Sequence, residues 1–152
     1  MSSAKFLGEY TMRGNGPDRT TVRLSLFDGS FKTAYKVVEF TCFTEDPLSS
    51  GKDVAGVLKT EGVHGASITI PFWDAHDATQ IGWSSQGVKA AADTVTPFSL
   101  IDPDNLIVED LYFTGVCGSD GKPINYLIRL EKYDITEWTG ALCLVRARSQ
   151  NV

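Results

Sequence analysis

Apolar and polar residues alternate with period two along most of this chain, the signature of half-buried β-strands. In "KFLGEYTMR", Phe6, Tyr10 and Met12 share one face, and Glu9, Thr11 and Arg13 the other. "GNGPD" follows, dense in turn formers. "TTVRLSLFD" then sets Val22, Leu24 and Leu26 against Thr21, Arg23 and Ser25. Two alternating runs around such a turn predict a β-hairpin. "FKTAYKVVEFTCFTE" predicts a long third strand, with Val38, Phe40 and Cys42 alternating with Val37, Glu39 and Thr41.

The middle of the chain is less regular. "DPLSSGKD" reads as a loop, and the glycines of "VAGVLKTEGVHG" interrupt any helix without settling its type. "ASITIPFW" predicts a strand whose end is forced to an edge or a bulge by Pro71. "TQIGWSSQG" reads as a further short strand, and the alternation in "VKAAADTV" favours strand over helix. After the turn "LIDPDN", "LIVEDLYFTGVC" predicts a central strand. Ile107, Leu111 and Phe113 fall on one of its sides; Leu106, Val108, Tyr112 and Val116 fall on the other. "GSDGKP" then turns into "INYLIRLEKY", with Ile124, Tyr126, Ile128 and Leu130 on one face, and a second hairpin is expected.

The period changes at the end. In "YDITEWTGALCLVRARSQ", Ile135, Trp138, Leu142 and Val145 recur at helical spacing. Asp134 and Glu137 have the spacing of a capping box, and Arg146 and Arg148 suit a helix C-terminus. Gly140 weakens this helix by about 1 kcal/mol relative to Ala. Seven to nine strands and one late helix predict a mainly β chain. The expected architecture is an antiparallel β-sandwich or partial barrel, jelly-roll-like among the options, with one C-terminal helix. No repeat or linker divides residues 1–152, so a single β-rich domain is expected.

Charge narrows the partners. The net charge of −5 opposes attraction to phosphate backbones or anionic lipids. Lys and Arg form no run of three, which further disfavours nucleic acid. Apolar runs fall far short of a membrane span, and "MSSAKFLGEY" lacks the apolar stretch of a signal peptide. Cys42, Cys117 and Cys143 have no C-x-x-C spacing and sit among small or apolar neighbours, which reads as buried free thiols in a reduced compartment.

"PFWDAHDATQIGW" is the stretch that most resembles chemistry. A metal reading uses Asp74, His76 and Asp77, with His64 twelve residues upstream of His76. Without an H-x-H or H-x-x-x-H pair, a solvated turn whose aspartates cap backbone N–H groups is the better expectation. Trp73 and Trp83 flank this loop. They either cover the end of the core or form an aromatic rim for a sugar or a protein. The chain has no G-x-S-x-G elbow, no phosphate-binding glycine loop, and no carboxylate pair that a strand would aim at one bond. Enzymatic function, metal and cofactor are therefore not expected.

The segment "LIVEDLYFTGVCGSDGKPINYLIRLEKYDITEWTGALCLVRARSQ", residues 106 to 150, resembles the small β-rich virion proteins of bacterial viruses: coat, cement or tail components. The resemblance rests on short hairpins, a start at Met1 and few catalytic residue types. It implies a cofactor-free structural subunit that assembles with copies of itself and with other virion proteins. Such a subunit would be made in the host cytoplasm and would reside in the virion. No motif carries a functional residue over. The interface residues expected from the sequence itself are Trp138, Leu142 and Val145 on the helical stripe, and Trp73 and Trp83. The alternative from another class is a carbohydrate- or protein-binding β-sandwich using the Trp73/Trp83 rim.

Overall fold

The computed structural model describes residues 5–26, 32–48, 52–89, 94–118 and 121–135, with the side chains of 88–96 set aside. Eight strands run through these residues: β1 (Lys5–Gly16), β2 (Thr20–Leu24), β3 (Thr33–Phe43), β4 (Val54–Lys59), β5 (Gln80–Lys89), β6 (Thr94–Ile101), β7 (Leu111–Cys117) and β8 (Ile124–Asp134). They form two sheets, of order β1-β8-β3 and β2-β7-β4-β5-β6. Every pairing within the sheets is antiparallel.

The alternation read from the sequence places the core. On β8, Ile124, Tyr126, Ile128 and Leu130 are buried between the sheets, as their shared face requires. Arg129 points the other way and lies between Glu9 of β1 (3.5 Å) and Glu39 of β3 (3.3 Å). Across the sandwich, Phe40 of β3 meets Phe113 of β7 edge-on at 6.0 Å, and Phe113 lies 4.8 Å from Tyr126. The Phe113 ring sits over the cross-strand pair Gly56–Gly115. A Cβ at either glycine would come within 2.9 Å of that ring, so both positions need the missing side chain.

Several expectations are corrected. The two runs around "GNGPD" do not pair: β1 joins β8 and β2 joins β7, in different sheets. The turn is a corner between layers, pinned where Asp18 Oδ1 accepts from Cys117 N at 2.7 Å and Arg19 N donates to Gly115 O at 2.7 Å. Likewise β7 and β8 are not a hairpin but lie in opposite sheets. Turn residues reverse the chain; they do not choose which strand it then pairs with. The central strand starts at Leu111 rather than Leu106. Residues 106–110 bend instead, and there Val108 joins Ala34 and Ile135 in a small second cluster.

On β3 the register shifts between Val37 and Glu39. This bulge puts Val37 and Phe40 on the buried face together and turns Val38 outward, against the simple alternation. The expected strand 66–73 makes only one bridge, Thr20–Ser67, and contains a cis Ile70–Pro71 bond. The segment "VKAAADTV" is shared between the end of β5 and the start of β6. The helix expected from Ile135 onward, with Trp138, Leu142 and Val145, lies outside the described residues apart from Ile135 itself, which is buried. No helix among the described residues is long and apolar enough to cross a membrane.

Candidate docking cleft

The chain between β4 and β5, residues 60–79, packs against the five-stranded sheet at β2 and β4. Its near half lies along β2: Thr21 N donates to Ala66 O, Gly65 N to Thr21 O and Ile68 N to Arg19 O. Its far half brings Trp73 back over β4, where the indole Nε1 donates to Gly56 O at 3.1 Å.

Asp74 and Asp77 build the turn that follows. Asp74 Oδ1 accepts from His76 N at 2.9 Å, and Asp77 Oδ1 accepts from both Thr79 N (2.9 Å) and Thr79 Oγ1 (2.7 Å). These are capping contacts that short acidic side chains make with neighbouring backbone. His76 is exposed, while His64 sits over β2, its Nδ1 accepting from Arg23 N at 3.1 Å. Among the described residues no three His, Cys, Asp or Glu side chains gather as metal ligands.

Gln80, buried at the start of β5, organises the loop. Its Oε1 accepts from Trp83 Nε1 and from Asp74 N, each at 2.9 Å, and its Nε2 donates to Phe72 O at 2.9 Å. One amide thus fixes both ends of the "PFWDAHDATQIGW" stretch. The register places Trp83 opposite Leu100 and Ser85 opposite Phe98 on β6. Trp73 stands 5.9 Å from Phe98 with the rings tilted by 32°. Together Trp73, Ala75, Trp83, Phe98 and Leu100 line a cleft of about 210 Å³. Trp73 is 38% exposed, Phe98 46% and Leu100 55%. These side chains form one open apolar patch on the surface.

The sequence reading thus found the two tryptophans, and the structure brings them to one cleft. It missed Phe98, Leu100 and Gln80. Phe98 and Leu100 stand two apart in "TPFSLI", a period-two signal just after Pro97 that a strand reading of this stretch would have caught. A neighbouring open depression of about 540 Å³ is polar. Its Asp110 carboxylate is already engaged: Oδ2 takes Arg23 Nε at 2.6 Å, and Oδ1 takes Leu26 N at 3.0 Å.

Buried thiols complete the picture. Burial pushes the Cys42 thiol up to about 11, against weaker opposing hydrogen bonds to Ser84 and the backbone. A thiol held protonated in this way is a packing group and a poor nucleophile.

No protein-family model matches the chain, and no curated protein shows significant similarity to it.

Proposed function

We propose that this chain is a non-enzymatic structural subunit that works by assembly, of the kind that bacterial virus particles use as a coat, decoration or tail protein. The strand order supports this reading. The sheets β1-β8-β3 and β2-β7-β4-β5-β6 follow the strand order of a jelly roll, whose layers would be β1-β8-β3-β6 and β2-β7-β4-β5, except that β6 here pairs with β5. The edge strands of the two sheets still touch on that side, where Ser99 Oγ of β6 donates to Phe40 O of β3. Jelly rolls serve viral capsids and also lectins, so the site must decide between them.

The observation that carries the reading is the chemistry of the cleft. Both indole N–H groups are already committed, to Gly56 O and to Gln80 Oε1. What remains exposed is apolar wall. A sugar ring needs hydrogen-bond partners for its hydroxyls as well as an aromatic face. A Leu, Phe or Met side chain from another protein needs only a rigid apolar socket. The volume of about 210 Å³ lies below the roughly 300–1,000 Å³ of small-molecule pockets and suits one large side chain.

Static light scattering of the full chain over a concentration series tests this. The average mass should rise past two chains with concentration. Leu100→Glu, which sets a charge in the socket, should hold the mass at or below two chains while melting like the wild type. A wild-type protein that never exceeds two chains, or a variant that grows like it, would overturn the reading. Saturable glycan binding by a stable monomer would favour the lectin-like alternative.

A further inference from the structure

Four strands stand at the sheet edges, and they are not treated alike. The outward edge of β3 is capped along its length. Tyr35 exchanges backbone bonds with Ile107 (2.8 and 2.7 Å), Val37 exchanges two with the Asn105 amide (2.8 and 2.9 Å), and Cys42 N donates to Ser84 Oγ at 2.9 Å. Thr44 N, just beyond the strand, donates to Gln86 Oε1 at 3.0 Å. The outward edge of β2 is covered by residues 64–68 through Arg19, Thr21 and Arg23. On β6, Pro97 removes a donor, a common protection of edge strands. β1 pairs with β8 on one side, and among the described residues no hydrogen bond caps the backbone of its other side. It is 12 residues long, contains no proline, and exposes Phe6, Leu7 and Tyr10. A long open strand of this kind is a template for another strand.

The sequence of β1 says which strand. "EYTMR", residues 9 to 13, is self-complementary when read antiparallel about Thr11. Glu9 then falls opposite Arg13 of a second copy, and Arg13 opposite its Glu9. Tyr10 and Met12, which share the apolar face, fall opposite one another in the same way. Arg13 is exposed and has no ion-pair partner among the described residues. On this face Glu9 lies opposite Glu131, and Glu9, Glu131 and Glu39 outnumber Arg129 and Lys36 by one negative charge that an incoming Arg13 offsets. A two-fold contact requires this reciprocity, residue i meeting j while j meets i.

We propose that β1 pairs with β1 of a second copy about a two-fold axis at Thr11, joining two three-stranded sheets into one of six. This contact lies on the opposite sheet from the Trp73 cleft and does not depend on it. If both operate, a two-fold contact and a second, different contact on each chain are what an extended assembly needs.

The test is made on the full chain carrying Leu100→Glu, so that growth through the cleft does not obscure it. By light scattering this protein should be a dimer. Adding Arg13→Glu sets carboxylate against carboxylate at both ends of the pairing. Adding Glu9→Lys instead sets cation against cation at the same two places. Each should raise the dissociation constant about tenfold or more, because two attractive pairs become repulsive together. Mixing the two variants puts a carboxylate opposite a cation at both ends again, and should restore the dimer. A monomeric parent, or a mixture that dimerises no better than its components, would overturn the pairing even if the cleft reading stands. Should a charge variant fail to fold, Thr11→Cys decides. It should form a disulfide-linked dimer on mild oxidation that Cys42, Cys117 and Cys143 alone do not give, and failure to cross-link would refute the two-fold axis at Thr11.

Discussion

Replacing Gln80 with leucine removes the group that holds the cleft in shape. The side chains are similar in size and the position is buried, so lost polar contacts dominate over lost packing. Three hydrogen bonds disappear: from Trp83 Nε1, from Asp74 N and to Phe72 O. A neutral hydrogen bond contributes about 0.5–1.5 kcal/mol net, and a partner left buried and unsatisfied costs about 1–3 kcal/mol. Trp73 and Asp74 are exposed, so water reaches part of the loop and recovers part of the loss. The expected destabilisation is about 2–4 kcal/mol, at the upper end for single substitutions. Urea unfolding followed by tryptophan fluorescence measures it. The native spectrum should also shift to the red as Trp83 gains contact with water. A loss below about 0.5 kcal/mol with an unchanged spectrum would refute the account of Gln80 as the organiser of the loop.

Other outcomes follow from the core. Gly56→Ala should destabilise by about 1–3 kcal/mol in the same assay, since the new methyl group meets the Phe113 ring and the Cys42 sulfur with no room to yield. The Cys42 thiol should resist alkylation in the folded protein at pH 8 and react on unfolding, as mass spectrometry of the labelled chain would show. Because its folded pKa lies above its unfolded value, its effect on stability is constant below about pH 9. As the pH rises from 9 towards 11, the unfolded state ionises first and stability falls. A Cys42→Ala variant should lose less stability over that window than the wild type.

Much of the fold was legible because burial imposes a period. β8 alternates cleanly, since its inner face meets the opposite sheet along most of its length. β3 did not, because one extra residue at Val38 moves the remainder of the strand out of phase, and no composition signal marks a bulge. Pairing was the least legible feature. "GNGPD" and "GSDGKP" are good turns in either role, and only the packing of the layers decides that they lead to the opposite sheet. At the cleft, Trp73 and Trp83 declared themselves by size. Gln80 did not, because a buried amide with three partners looks the same in sequence as a solvated one. The aspartates of the same stretch were legible as caps because their bonds are local in sequence.

The central claim is that the Trp73–Trp83–Phe98–Leu100 cleft receives part of another chain. It is tested most directly by placing a photo-cross-linking phenylalanine analogue at position 98. Equal amounts of isotopically light and heavy protein are mixed, allowed to assemble and irradiated. The account predicts cross-linked peptide pairs that join light to heavy chains, with position 98 as one partner. Cross-links confined to single chains, or none above those of the Leu100→Glu variant, would contradict it.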